Sequence, residues 1–262
     1  MKVVLFCGGM GMRLREHSSN LPKPLALVGY RPIVWHLMAY YAHYGHKDFI
    51  MCLGYRADAI KDYFLKYDET LSNDFVLSKG GNEIELLSSD IDDWTIRFVD
   101  TGLHANIGMR LKAVQEHLEG EEVFLANYSD GLTDLPLDAY LDHFLERDKV
   151  ASFVSVPNPA VTHMVQSESD GTVTAIKPMS QSGVRINGGF FAFRDKIFDY
   201  IEDGEELVFE PFARMMQDRE LIAYEYDGFW QCMDTFKDRQ ALEERAERDD
   251  MPWQVWKKPP SA

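Results

Sequence analysis

No apolar run in this chain approaches the ~20 residues that a membrane-spanning helix needs. The N-terminus enters a strand with no signal-peptide pattern, so a cytoplasmic protein is expected. Cysteine is scarce: Cys7, Cys52 and Cys232 are odd in number, widely spaced and set in apolar or aromatic stretches. That argues against a disulfide scaffold and reads as reduced core thiols rather than metal ligands. Positive charge is scarce too, with 27 Lys and Arg against 43 Asp and Glu and a net charge of −16. Such a balance argues against nucleic acid or an anionic membrane as partner. A nucleotide stays compatible if basic residues converge locally and a divalent cation helps. There is no internal repeat and no long flexible linker. Hydrophobic and aromatic contents of 45% and 13% fit a globular chain, expected as a single domain over residues 1–262.

The first 24 residues organise the chain. Val3 to Phe6 is an apolar, β-branched run that reads as a strand buried on both faces. Gly8, Gly9 and Gly11 follow it, then Met12 and Arg13, then Leu21-Pro22-Lys23-Pro24. Glycines let successive backbone N–H groups approach an anion, and Arg13 and Lys23 add positive charge, so the loop suits a nucleotide triphosphate. A Walker A loop would end in Gly-Lys-Ser/Thr, and a dinucleotide fingerprint would put glycine where Leu14 stands; neither fits.

Further on, Phe49–Leu53, Val123–Ala126 and Phe190–Phe193 are short buried strands, with amphipathic helices between them around residues 33–41, 57–67 and 108–118. This rhythm predicts an α/β fold with a doubly wound, mostly parallel, Rossmann-like sheet that binds ligands at its C-terminal edge. Residues 72–99 break the rhythm with three short alternating segments, expected as an antiparallel β insertion projecting from the core and contributing to self-association. Asp170-Gly171 predicts a hairpin turn between residues 164–166 and 173–176. Asp130, just past a central strand and beside Gly131, reads equally as a turn residue or as the ligand of a divalent cation. Trp35 and His36 read as packing or surface residues rather than ligands.

The glycine loop followed by Pro-Lys-Pro resembles the signature of the sugar nucleotidyltransferases. Over nearly its whole length the chain resembles the glucose-1-phosphate cytidylyltransferases within that family, through Trp35-His36, Val99-Asp-Thr-Gly102, Arg110-Leu-Lys112, Asp130-Gly131, Ile186-Asn-Gly-Gly-Phe-Phe191, Gly228-Phe-Trp-Gln231 and Met233-Asp234-Thr235. The resemblance implies transfer of a cytidylyl group from CTP to a sugar 1-phosphate, with Arg13, Lys23 and the loop amides on the triphosphate and Mg2+ bridging it to Asp130 and Asp234. It also implies Arg110 at the nucleotide, Lys177 at the acceptor phosphate, Asn187 at the acceptor, and a homo-oligomer. Three places depart from the family, one of them Thr162-His163-Met164, which stands where Phe-Gly-Ala is usual. Met12 replaces a usual threonine, and Ile176 replaces a usual glutamate next to Lys177, which removes an anionic acceptor for sugar hydroxyls. The same transfer to a different, even non-sugar, phosphorylated acceptor is therefore the second expectation. A catalytically weak nucleotide-binding regulatory protein is the third.

Overall fold

Seven strands form the central sheet of the computed structural model, which describes residues 1–9, 21–160 and 162–257. They are β1 (Lys2–Phe6), β2 (Asp48–Leu53), β3 (Thr95–Asp100), β4 (Val123–Asn127), β5 (Ala151–Pro157), β6 (Arg185–Arg194) and β7 (Leu221–Glu225). Across the sheet they run β7-β5-β6-β4-β1-β2-β3. All neighbours are parallel except those of β6, which lies antiparallel between β5 and β4. Because β6 runs the other way, its N-terminal half lies at the edge where the parallel strands end.

Both faces of the sheet are covered, which explains the continuous apolar strands. Val3, Leu5, Phe49, Met51, Leu125 and Phe190 point to one core, whereas Val4, Phe6, Ile50, Cys52, Phe124 and Phe191 point to the other. Among the described residues are six α-helices: α1 (Ile33–His43), α2 (Ala57–Leu65), α3 (Ile107–Ala113), α4 (Leu137–Arg147), α5 (Glu210–Asp218) and α6 (Phe236–Glu247). α1, α2, α4 and α6 feed the first core, and α3 and α5 the second. The doubly wound expectation holds. Cys7 and Cys52 are buried thiols, and burial pushes Cys7 up to about 12.

The insertion differs from expectation in one part. Phe75–Ser78 and Glu83–Leu86 do pair as an antiparallel hairpin. The third segment instead becomes β3, an edge strand of the main sheet paired in parallel with β2. Ile96 and Phe98 pack on one core while Val99 packs on the other. Incomplete cover at an edge produces the same alternation as a free ribbon, so periodicity alone does not separate the two. The hairpin predicted around Asp170-Gly171 is present, pairing His163–Ser167 with Val173–Pro178.

His36 is buried at 1% exposure on α1 and links the C-terminal segment to the core. Its Nε2 donates to the Val28 carbonyl at 2.9 Å, and its Nδ1 accepts from Trp253 Nε1 at 3.3 Å. Indole is only a donor and carbonyl only an acceptor, so this network needs neutral imidazole. Burial pulls the His36 pKa down to about 4. The unfolded chain, with an ordinary histidine near 6.5, therefore binds the extra proton first. Stability contributed by His36 is complete above that ordinary value and is lost as pH falls towards about 4, a loss on the order of 3 kcal/mol. Urea midpoints at pH 7 and pH 5 test this: His36→Gln should be less stable than wild type at pH 7, and the gap should narrow markedly at pH 5.

Candidate active site

Three distant residues meet at the C-terminal edge of β4 and β1. Lys23 Nζ donates to Asp130 Oδ2 at 2.6 Å and to Asp234 Oδ1 at 2.7 Å. Lys23 opens one tight helical turn, Lys23–Leu25, between two prolines that fix its backbone entry. Asp130 follows a turn in which Ser129 adopts a left-handed φ of 65°, held by Asn127 Oδ1 on Ser129 N at 2.9 Å. Ser129 Oγ in turn donates to the Phe6 carbonyl at 2.9 Å and ties this turn to the end of β1.

Asp234 arrives by strand pairing. Gly131–Thr133 and Trp230–Cys232 form a two-stranded ribbon with Cys232 opposite Gly131, and Met233 N donates to the Asp130 carbonyl at 2.9 Å. Beyond it a capping box starts α6, in which Asp238 Oδ2 accepts from Asp234 N at 3.2 Å and Thr235 N at 2.8 Å. The ribbon thus sets Asp130 and Asp234 side by side although the chain keeps them far apart. Burial raises the Asp130 pKa, Asp234 adds to the rise and Lys23 opposes it. For Lys23, burial lowers the pKa, but Asp130 and then Asp234 outweigh it, and the net direction is up. Lys23 therefore keeps its proton between the two carboxyl groups.

Of the glycine loop, Gly8 and Gly9 are described; Gly11, Met12 and Arg13 lie outside the described residues. Gly8 rests on Arg110. This arginine is 3% exposed and donates from Nη2 to the Gly8 carbonyl at 3.0 Å, and from Nη1 to the Leu53 carbonyl at 3.1 Å and Thr101 Oγ1 at 2.7 Å. One guanidinium therefore joins the ends of β1, β2 and β3. The fit demands glycine: a Cβ on Gly8 would lie 2.0 Å from Arg110 Nη1, and one on Gly54 would lie 2.8 Å from the Gly8 carbonyl oxygen. Arg110, expected at the nucleotide, is spent on backbone and hydroxyl oxygens beneath the loop.

Asn187, expected at the acceptor, sits in β6, where its Oδ1 accepts from Gly189 N at 2.8 Å and its Nδ2 meets Tyr128 Oη at 3.4 Å. Gly189, with a φ of +77°, leaves room for the Tyr128 ring, which a Cβ there would meet at 2.7 Å. Trp230 closes the same corner, with Nε1 donating to the Gly188 carbonyl at 2.8 Å. Tyr128 and Trp230 stand inside stretches whose sequence suggests a site, yet spacing gives no hint that their side chains meet Asn187-Gly188-Gly189. Lys177 and Ile176 lie on the Val173–Pro178 strand, whose ribbon leaves the sheet after β5 and returns into β6 at this same edge. Consecutive residues of a strand face opposite ways. Ile176 pairs with Val165 on one face at 63% exposure, and Lys177 pairs with Met164 on the other. The structure brings Lys23, Asp130 and Asp234 into contact, and leaves Lys177 and Ile176 exposed on the ribbon.

Replacing the buried guanidinium should expose its double role. Arg110→Met leaves the Gly8 and Leu53 carbonyls and the Thr101 hydroxyl without their donor, and should cost about 2 kcal/mol or more of stability in the absence of any ligand. Denaturant unfolding of ligand-free protein measures this. An unchanged midpoint would show that Arg110 does not hold the loop.

Comparison with known proteins adds an independent line. The profile of the nucleotidyl transferase family matches residues 2–237. A glucose-1-phosphate cytidylyltransferase of Salmonella typhi is 35% identical over 257 residues, covering 98% of this chain and 100% of that protein. A mannose-1-phosphate guanyltransferase of Gibberella zeae is 26% identical over 245 residues, covering 91% of this chain and 62% of that protein. Among solved structures, HddC from Yersinia pseudotuberculosis superposes with a TM-score of 0.66 at 19% identity, covering 93% of this chain and 98% of that one, and supports the fold. With the lysine and two carboxylates gathered at the strand ends, and with a relative matched from end to end, this chain belongs to the nucleotidyl transferase family, in the group of the glucose-1-phosphate cytidylyltransferases.

Proposed function

We propose that this enzyme transfers a cytidylyl group from CTP to a sugar 1-phosphate of the glucose 1-phosphate type, releasing pyrophosphate. The observation that carries the reading is the Lys23–Asp130–Asp234 cluster at the open edge of the sheet, joined to the full-length likeness to the Salmonella enzyme. A phosphate oxygen of the acceptor attacks the α-phosphorus of the nucleotide in line. That oxygen is already ionised near neutral pH, so no general base is needed, and the protein's task is to bring two polyanions together and offset the charge that develops.

Lys23 serves the triphosphate together with Gly8 and Gly9, and the family resemblance adds Gly11 and Arg13 to that role. Met12 offers no hydroxyl there. Arg110 serves the nucleotide by fixing the Gly8 backbone. The family resemblance supports Lys177 for the acceptor phosphate and Asn187, steadied by Tyr128 and Gly189, for the acceptor itself. Asp130 and Asp234 fit Mg2+: they are two hard oxygen donors that already share one cation, and Mg2+ takes one or two carboxylates together with phosphate oxygens and water. When bound, the ion would supply charge neutralisation on the triphosphate.

A second reading changes only the acceptor. Ile176 puts an apolar, exposed side chain where a carboxylate is usual, so glucose hydroxyls lose one charge-assisted hydrogen bond, worth on the order of 10- to 100-fold in kcat/KM. A pyrophosphate-release screen of four nucleotide triphosphates against a panel of phosphorylated acceptors decides between the readings. CTP should be preferred over UTP and dTTP, and Asp130→Ala and Asp234→Ala should lower turnover by orders of magnitude while the fold persists. Recovery of glucose 1-phosphate turnover by Ile176→Glu would favour the glucose-shaped pocket. Near-normal activity of Asp130→Ala would refute the site assignment.

The enzyme is further read as a cytoplasmic homo-oligomer assembled through the 75–86 hairpin. Phe75 pairs with Leu86 and Leu77 with Ile84, so these four share one face, at 40%, 39%, 58% and 56% exposure respectively. A two-stranded hairpin is marginal alone, and an uncovered apolar face favours burial against a second copy. Light scattering at micromolar concentration should give a multiple of 30.2 kDa, and Leu77→Glu with Ile84→Glu should shift it towards the monomer.

A further inference from the structure

The cation that occupies the two carboxylates is the protein's own. Lys23 Nζ sits 2.6 Å from Asp130 and 2.7 Å from Asp234, and its stem is largely buried, with 14% of the side chain exposed. The tight turn between Pro22 and Pro24 fixes the backbone from which it reaches. We propose that Lys23 is an internal counter-ion that keeps the divalent-cation site closed until a nucleotide arrives.

The argument is electrostatic and steric. Asp130 Oδ2 and Asp234 Oδ1 both accept from the ammonium, so a divalent cation held by these carboxylates would meet a like charge at close range in a part-buried site. The ammonium has no reason to leave for water, because it would exchange two carboxylates for solvent and leave two anions side by side. A triphosphate at the adjoining glycine loop changes this balance: it offers the ammonium anionic oxygens of equal quality, and it brings its own oxygens to the divalent ion. Lys23 would then exchange carboxylate for phosphate as a nucleotide binds, and the freed Asp130 and Asp234 could hold a divalent ion. Binding energies coupled in this way are reciprocal, so the metal also tightens the nucleotide.

This inference rests on the nucleotidyl-transfer reading of the site, but its test needs no turnover. Mn2+ binding can be followed by electron paramagnetic resonance on protein without nucleotide, in wild type, in Lys23→Gln and in Lys23→Gln with Asp130→Asn. Thermal unfolding of each protein, and a second variant Lys23→Met, separate loss of fold from loss of the counter-ion. Lys23→Gln should bind Mn2+ at least about tenfold more tightly than wild type, and the added Asp130→Asn should abolish the gain. Equal Mn2+ affinity in wild type and both lysine variants, including no binding in any of them, would overturn the proposal. If cytidylyl transfer were absent but the affinity gain appeared, the counter-ion role would stand and the reading of the reaction would fall.

Discussion

The structure depends on one arrangement of charge: an ammonium held between two carboxylates at the open edge of a sheet whose faces are both sealed. Three chain segments must be placed correctly for it to exist. The two prolines around Lys23 place the cation, the Asn127–Ser129 turn places Asp130, and the ribbon of Gly131–Thr133 with Trp230–Cys232 places Asp234. Each device is short, and two of them are tied to the sheet: Ser129 reaches the carbonyl of Phe6, and Trp230 of the ribbon donates to the Gly188 carbonyl at 2.8 Å. The mainly parallel sheet serves as a rigid frame that converts backbone register into side-chain distance.

Arg110 is the second organising charge, and it works by a different physical rule. A buried guanidinium needs its donors satisfied, and here two carbonyls and a hydroxyl at the ends of three strands do so. Burial lowers its pKa, with Cys52, Cys7 and Asp100 acting in the opposite direction. The consequence is a glycine loop whose first residue is fixed from below by positive charge. Glycine at positions 8 and 54 follows from this, because any side chain there would overlap the guanidinium or the neighbouring backbone.

Away from the site the chain spends its buried polar groups on joining parts distant in sequence. Arg31, 1% exposed, donates to the Asp68 carbonyl at 2.8 Å, bonds Ser72 and lies 4.2 Å from the Tyr67 ring centroid. That links the turn before α1 to the segment leading into the hairpin. His36 does the same for the C-terminal Trp253. The hairpin itself receives no such cover among the described residues, and its paired apolar side chains Phe75, Leu77, Ile84 and Leu86 stay exposed.

Much of this protein was legible in its sequence. Unbroken apolar strands separated by amphipathic helices meant a sheet buried on both faces, and the glycines with Pro-Lys-Pro marked the edge where Lys23 lies, because local backbone chemistry is written in local residues. Asp130 could be located but not interpreted, since a carboxylate after a strand is as common in turns as in sites. The alternation of residues 95–99 was misleading, because an edge strand and a free ribbon expose their residues with the same period. The partnership of Lys23 with Asp130 and Asp234, the burial of Arg110 beneath Gly8, and the opposite facing of Ile176 and Lys177 were decided only by the tertiary structure. These depend on strand order, register and the antiparallel run of β6, which arise from contacts between segments that no local pattern encodes.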